Sequence, residues 1–170
     1  MKRRSCTFVL ICLALSTPHP RLSSQVPDSL APDFILKTLT GDTLRLSDLR
    51  GHPVFLNFWA SWCKTCRPEM GDIIAAYNAH RPAGLEVLAI NLTDQERMRD
   101  VRAFVQDLEL PFPVLLDQKG KVRRLYALRG VPTSVFVDAR GIVRLVNIGP
   151  ISPETIQRGL NQILSVQPVQ

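Results

Sequence analysis

The apolar positions of this chain fall into short continuous runs and into longer stretches with helical spacing. Continuous runs at residues 54–59 and 85–90 predict buried strands of a sheet, and the shorter run at 113–117 is compatible with a further short strand. Apolar residues recur at helical spacing over residues 63–80, 98–108, 121–128 and 153–163. Strands that alternate with helices in this way predict an α/β domain with a mixed sheet and helices on both of its faces.

Hairpins are predicted before and after this alternation. Residues 34–37 and 43–46 flank the turn Thr40-Gly41-Asp42, and residues 133–137 and 142–148 flank the turn at 138–141. The element order therefore begins with an N-terminal hairpin and ends with a second hairpin followed by the last helix. No internal repeat is present.

Two local signals bear on where the helices begin and bend. Thr93 and Glu96 have the spacing of a capping box, which predicts that they open the helix that continues through residues 98–108. Pro68 lies within the helix predicted to start at Cys63, and a proline in the second turn predicts a kink there.

The first 29 residues differ from the rest in composition. Residues 1–16 combine three basic residues with an apolar run over 7–15 and small residues at a cleavage position, which predicts a signal peptide. An uncleaved N-terminal membrane anchor is the alternative, and either one implies export. The proline-rich residues 17–29 form a linker. Residues 30–167 then form one domain, in keeping with a chain of 170 residues that is 45% hydrophobic.

The positive charge does not indicate a nucleic-acid partner. Half of the formal net charge of +6 comes from residues 2–4, and the chain from Thr17 onward has 18 basic and 15 acidic residues. These charges form no basic stripe with interleaved aromatic residues, so a nucleic-acid partner is not expected. No apolar run reaches the roughly 18 residues of a membrane-spanning helix.

Cys63 and Cys66 carry the candidate chemistry. They are the only cysteines outside the leader, and Trp62-Cys63-Lys64-Thr65-Cys66 follows a buried strand and opens a helix. Thiols three residues apart can form a disulfide. Cys63 lies at the positive end of the helix, which favours its thiolate and predicts a pKa below the usual value of about 8.5. Cys66 lies a turn deeper and would resolve a mixed disulfide formed at Cys63.

Two other interpretations of the cysteine pair fit the sequence less well. A zinc site needs four ligands, and the sequence offers neither a second cysteine pair nor a histidine near this one. An inert structural disulfide usually joins distant segments rather than neighbours on one helix. We therefore expect dithiol redox chemistry, with no metal and no cofactor other than the Cys63–Cys66 disulfide itself.

Residues 54–70, VFLNFWASWCKTCRPEM, resemble the active-site segment of the thioredoxin superfamily. They are most similar to the exported TlpA/ResA/CcmG group of thiol–disulfide oxidoreductases, above all its ResA branch. The sequence Gly130-Val131-Pro132-Thr133 resembles the cis-proline loop of that group, and the strand and helix at 85–108 resemble its central insertion. The resemblance covers about residues 30–165 and implies a thioredoxin-like fold.

The resemblance also implies roles for individual residues. Cys63 and Cys66 match the redox pair, and Trp62 matches the tryptophan that precedes it. Pro132 matches the cis-proline that faces the disulfide, and Val131 would offer its backbone to an extended substrate segment. Without the resemblance, Pro132 would be an ordinary turn proline, because few X–Pro bonds are cis.

Glu69 matches an acidic residue that the group carries three positions after its second cysteine. A glutamate on a helix surface often has a basic residue four positions away, but Glu69 has Thr65 and Ile73 there. Asn57 replaces a buried aspartate of thioredoxin itself. We therefore predict that Glu69 is partly desolvated beside Cys66, titrates high and moves protons for the thiols. The alternative is an ordinary surface glutamate.

The function implied by the resemblance is the reduction of disulfides in client proteins, in the periplasm or at the outer face of the cytoplasmic membrane. The implied clients are the haem-binding cysteines of apocytochrome c, and the electrons would come from a thiol donor in the membrane. Two alternatives stay open: a disulfide oxidase or isomerase, and a non-redox metal or haem chaperone that uses the two thiols as ligands. The reduction potential separates the redox alternatives, since oxidants lie near about −120 mV and reductants well below about −200 mV.

Overall fold

A computed structural model describes residues 27–165 of the chain. Its strands are β1 (Ile35–Thr38), β2 (Thr43–Arg45), β3 (Val54–Trp59), β4 (Glu86–Asn91), β5 (Val114–Leu116), β6 (Thr133–Val137) and β7 (Val143–Ile148). Its α-helices are α1 (Cys66–His80), α2 (Met98–Asp107), α3 (Lys121–Leu125) and α4 (Pro153–Leu164). The predicted leader and most of the predicted linker lie outside the described residues, as do the last two residues of the predicted domain.

The strands form one mixed sheet in the order β2-β1-β5-β4-β3-β6-β7. Strands β3, β4 and β5 are parallel to one another, and the hairpins β1–β2 and β6–β7 extend the sheet with antiparallel pairs on either side. The predicted mixed sheet, its N-terminal hairpin and its central strand–helix insertion are all confirmed. Within residues 27–165, no helix has the length and apolar character needed to cross a bilayer.

Side chains alternate between the two faces of the sheet, and each face carries its own part of the core. Phe55 and Trp59 of β3 point to the face covered by α1, α2 and α4. Leu56 and Phe58 point to the opposite face, which is covered by α3, by Tyr126 and by the 3-10 turn Leu46–Leu49. Because successive side chains point to opposite faces and both faces are covered, every residue of β3 is buried and nearly all of them are apolar.

The active-site helix begins three residues later than predicted. α1 starts at Cys66, and Cys63 lies in the turn before it. Pro68 is therefore the third residue of α1, where a backbone N–H has no partner within the helix in any case. The predicted kink at Pro68 is wrong for this reason, and α1 runs unbroken to His80. Helix α3 is also shorter than predicted and ends at Leu125. The chain leaves the helical conformation there, and Ala127 adopts a positive φ of 46°.

The predicted capping box is wrong as well. Residues Thr93–Gln95 form a short 3-10 turn, and α2 begins at Met98 without a side-chain cap. The Thr93 hydroxyl donates to Asn91 Oδ1 at 2.8 Å. The Glu96 carboxylate accepts hydrogen bonds from Ser61, which is distant in the sequence. Thr93 therefore binds a local partner two residues earlier, and Glu96 binds a distant one, so neither side chain caps α2.

Candidate active site

The Cys63–Cys66 pair lies where the central strand β3 ends and α1 begins. The two residues form a disulfide with their Cα atoms 5.4 Å apart. A turn precedes it, in which the Cys63 N–H donates to the Ala60 carbonyl at 3.2 Å. The Cys63 side chain is 6% exposed and that of Cys66 is fully buried. An incoming sulfur can therefore approach Cys63 more readily than Cys66.

The surroundings of the Cys63 sulfur favour negative charge. The backbone N–H of Cys66 donates to Cys63 Sγ at 3.2 Å, and the Thr65 hydroxyl oxygen lies 3.6 Å from the same sulfur. Cys63 also lies just before the N-terminus of α1, where the helix dipole is positive. Hydrogen bonds to the charged form and a nearby positive dipole both stabilise a thiolate.

The predicted substrate-binding residues lie at the same end of the sheet. Trp62 is 54% exposed beside the disulfide, so its ring is available to a partner. The bond between Val131 and Pro132 is cis. Phe58 of β3 pairs with Thr133 of β6, so the Val131–Pro132 bond lies next to the end of β3 from which the cysteine turn emerges. The fold thus brings the cysteine pair and the proline loop together.

Glu69 is buried in the core one turn below Cys66. Its side chain is 4% exposed, its Oε1 accepts a hydrogen bond from Asn57 Nδ2 at 3.0 Å and its Oε2 accepts one from the Ile151 N–H at 3.1 Å. Burial raises the pKa of Glu69 above its ordinary value, although both hydrogen bonds oppose that shift. The burial predicted for Glu69 is confirmed, and the position i+3 places it on the same buried face as Cys66.

Two residues of the hydrogen-bond network around Glu69, Ser134 and Ile151, could not be found from the sequence. Asn57 also contacts Ser134 Oγ of β6 at 3.3 Å, and the Ile151 N–H belongs to the segment before α4. Neither Ser134 nor Ile151 lies in a recognisable motif. A groove of about 300 Å³ beside Ile151 is lined by Glu69 and reaches the surface; its other lining residues are Lys64, Thr65, Pro68, Asp72, Pro150 and Ile151. Glu69 therefore borders a route to solvent although it is almost fully buried.

The central insertion packs against the end of β3 under the active site. Trp59 stacks on Phe104 of α2 with ring centroids 4.4 Å apart. The guanidinium of Arg67, next to Cys66 in α1, lies 4.7 Å from the centre of the Phe104 ring. Phe104 thus connects the strand and the helix that hold the cysteines. Among residues 27–165, no group of three or more His, Cys, Asp or Glu side chains could hold a metal ion.

Comparison with known proteins agrees with this geometry. The model of the AhpC/TSA family matches residues 27–146. The chain is 38% identical to the thiol–disulfide oxidoreductase ResA of Geobacillus kaustophilus over 135 residues, which cover 79% of this chain and 76% of the relative.

Two solved structures have the same fold and similar sequences. A structure named as the thiol:disulfide interchange protein DsbE of Chlorobium tepidum is 33% identical with a TM-score of 0.77, and the match covers 84% of this chain and all of the other. StoA of Bacillus subtilis is 29% identical with a TM-score of 0.66, over 78% and 98% of the two chains. The chain therefore belongs to the AhpC/TSA family of thioredoxin-like proteins, and it is a thiol–disulfide oxidoreductase of the ResA, StoA and DsbE type.

Proposed function

We propose that this oxidoreductase works as an exported reductase, which opens disulfides in client proteins and acts on the haem-binding cysteines of apocytochrome c. The observation that carries the proposal is the burial of Glu69 on the same face of α1 as the buried Cys66. This carboxyl group supplies a proton acceptor for the resolving thiol. It also sets the direction in which electrons flow.

The direction follows from the stability of the reduced form. A thiolate at Cys66 would be desolvated and would lie near an acidic group, and both conditions disfavour its charge. Reduced protein with a disfavoured thiolate is less stable relative to the disulfide, so its reduction potential is lower and it gives electrons away more readily. The hydrogen bond from the Cys66 N–H to Cys63 Sγ has the opposite effect, because it stabilises a thiolate. It acts on Cys63, however, which is the attacking sulfur, and a stabilised thiolate there promotes the reaction.

The reaction begins with the Cys63 thiolate of the reduced protein. It attacks one sulfur of the client disulfide, the client S–S bond breaks, and the released client thiolate takes up a proton. Glu69 then accepts the proton of the Cys66 thiol, and the Cys66 thiolate attacks Cys63 Sγ. The mixed disulfide breaks, and the second client thiolate leaves and is protonated. The client has gained two electrons from the protein and two protons from water. A dithiol donor in the membrane returns two electrons to the Cys63–Cys66 disulfide, and the proton held by Glu69 goes back to Cys66.

Client recognition uses the surface around Cys63. The exposed ring of Trp62 supplies an apolar contact. The backbone of Val131, held next to the disulfide by Pro132, pairs with an extended segment of the client, as the family resemblance implies. The leader predicted over residues 1–16 supports export of the domain, with the leader either cleaved or kept as an anchor.

The reduction potential of the Cys63–Cys66 couple in the purified protein tests the direction. A potential well below about −200 mV supports a reductase, whereas one near about −120 mV would identify an oxidase and contradict the proposal. The glutathione or dithiothreitol equilibrium of the cysteine pair, read by mass spectrometry after thiol alkylation, gives this value.

A peptide pair tests the client. One oxidised peptide carries the haem-attachment sequence Cys-x-x-Cys-His, and its control has the same disulfide with alanine in place of the histidine. Faster reduction of the first peptide supports apocytochrome c as a client. Equal rates would contradict apocytochrome c as a client but would not contradict the proposed reductase activity.

A further inference from the structure

The carboxylate of Glu96 lies against the turn that carries Cys63. The Ser61 N–H donates to Glu96 Oε1 at 3.0 Å and to Oε2 at 3.2 Å. The Ser61 hydroxyl also donates to Oε2, and Asn91 Nδ2 donates to Oε1 at 2.7 Å. A carboxylate that accepts from one backbone amide, one hydroxyl and one side-chain amide is held in one position.

The other end of this network is part of the sheet. Asn91 is fully buried at the end of β4, in register with Trp59 of β3 and Leu116 of β5. Its Oδ1 accepts from the Thr93 hydroxyl at 2.8 Å, and its backbone carbonyl accepts from the Asp117 N–H at 3.0 Å. Asn91 therefore has little freedom to move. Its hydrogen bond holds the Glu96 carboxylate in place, and the carboxylate in turn holds Ser61.

Ser61 is one of the two central residues in the turn that precedes the disulfide. The turn is closed by the bond from the Cys63 N–H to the Ala60 carbonyl, with Ser61 and Trp62 between them. The turn directs Trp62 toward solvent and Cys63 toward the start of α1. The Ser61 N–H points out of the turn, and Glu96 is the partner that binds it.

We propose that Glu96 is a positioning residue of the redox reaction: through Ser61 it holds the turn that places Cys63 at the N-terminus of α1 and Trp62 at the client-binding surface. Glu96 does not act on the sulfur atoms directly. Its effect on Cys63 depends on keeping that residue where the Cys66 N–H reaches Cys63 Sγ. A turn released from Glu96 would lose part of this alignment, and with it part of the stabilisation of the Cys63 thiolate.

This proposal and a simple charge effect predict opposite results. Removal of a nearby negative charge, with nothing else changed, makes a thiolate easier to form and lowers the pH at which the thiol becomes reactive. Loss of the positioning makes the Cys63 thiolate harder to form and raises that pH. The sign of the change in the reduced protein therefore separates the two explanations.

The test measures the alkylation rate of Cys63 against pH, and kcat/KM for a protein disulfide, in four variants. Glu96→Ala removes every acceptor, and Glu96→Gln keeps one acceptor for the Ser61 N–H while it removes the charge. Ser61→Ala removes the hydroxyl donor only. Glu86→Ala is the matched control, because Glu86 is also half-buried but lies at the opposite end of β4.

We expect Glu96→Ala to raise the alkylation midpoint and to lower kcat/KM by about tenfold, since a small misplacement of a reacting group can cost up to about a hundredfold. Glu96→Gln should give a smaller change in the same direction, and so should Ser61→Ala. The double variant Ser61→Ala/Glu96→Ala should be no more impaired than Glu96→Ala, because both substitutions disrupt one network. Glu86→Ala should match the wild type.

A lowered or unchanged midpoint in folded Glu96→Ala would overturn the proposal, as would additive effects in the double variant. Thermal unfolding curves establish that each variant is folded at the assay temperature. If Glu96→Ala does not fold, Glu96→Gln and Ser61→Ala decide the matter, because an unchanged midpoint and an unchanged kcat/KM in both would contradict a positioning role.

Discussion

Asn57 Nδ2 donates a 3.0 Å hydrogen bond to Glu69 Oε1, which links the central strand to the active-site helix inside the core. The Oδ1 atom of Asn57 is buried without a hydrogen-bond partner among the described residues. A rotation of this amide by half a turn would present Oδ1 to a protonated Glu69. Asn57 can therefore serve the carboxyl group in both of its protonation states, which an aspartate in that place could not do without adding a second negative charge.

Replacement of Glu69 by glutamine should make the thiols of the reduced protein more reactive at low pH. The variant keeps the size of the side chain but removes a carboxylate that disfavours thiolate formation at the cysteine pair. The curve of alkylation rate against pH should shift to lower pH, and the couple should become more oxidising. The two thiols and Glu69 titrate together, so the whole profile is compared rather than one constant. Superimposable curves for the wild type and the variant would mean that Glu69 does not interact with the cysteines.

The same substitution should change how stability depends on pH. Burial raises the pKa of Glu69 in the folded protein above its ordinary value of 4.5, so ionisation of this group favours unfolding. The stability that depends on a protonated Glu69 is fully present below pH 4.5. It is lost as the pH rises through the pKa that Glu69 has in the folded protein. Glu69→Gln has no such loss, because its oxygen can accept from the Ile151 N–H and its amide can donate to Asn57 Oδ1. Urea unfolding at several pH values should show that the free energy of unfolding of Glu69→Gln rises relative to that of the wild type as the pH rises from 4.5. A difference that stays constant with pH would contradict this.

The two cysteines should differ in their ability to trap clients. Cys63 is the more accessible of the two, and its sulfur receives a backbone hydrogen bond, whereas Cys66 is fully buried. We expect Cys66→Ser to accumulate mixed disulfides with client proteins, because the attacking thiol remains and the resolving thiol is gone. Cys63→Ser should accumulate none. Non-reducing electrophoresis of the two variants checks this, and equal trapping by both would contradict the assigned order of attack.

The close packing of α4 on the sheet should make Gly159 difficult to replace. A Cβ atom at this position would lie 2.6 Å from the ring of Phe136, and that ring is stacked on Phe55 with centroids 4.3 Å apart. Gly159→Ala should lower the free energy of unfolding by about 1–3 kcal/mol, although alanine is the better helix former.

Gly71 in α1 is the matched control for this substitution. It is also a helical glycine, but it is exposed, and a Cβ atom there would meet nothing within 4 Å. Gly71→Ala should therefore raise the free energy of unfolding by about 0.5–1 kcal/mol. Both values come from urea or thermal unfolding, and a Gly159→Ala variant as stable as the wild type would mean that α4 can move away from Phe136.

The sequence by itself determined most of the fold and the place of the cysteine pair. The apolar run at Val54–Trp59 predicted the central strand, and the later hairpin and last helix followed from their turn and cap residues. These features were predictable because hydrophobic periodicity and turn formation depend on residues that are close in the chain. The spacing of Cys63 and Cys66 after a buried strand then predicted dithiol redox chemistry, and the family resemblance added the roles of Pro132 and Glu69.

The tertiary structure decided where the polar side chains of the site find their partners. Glu69 binds Asn57, 12 residues earlier, and the N–H of Ile151, 82 residues later. Glu96 binds Ser61, 35 residues earlier. It therefore does not cap α2, although the local sequence pattern predicted that it would. A carboxylate has similar donors available in many places, and local sequence cannot rank them. The order of the strands in the sheet brings one set of donors within hydrogen-bonding distance, and burial of those groups makes that set the one that must be satisfied.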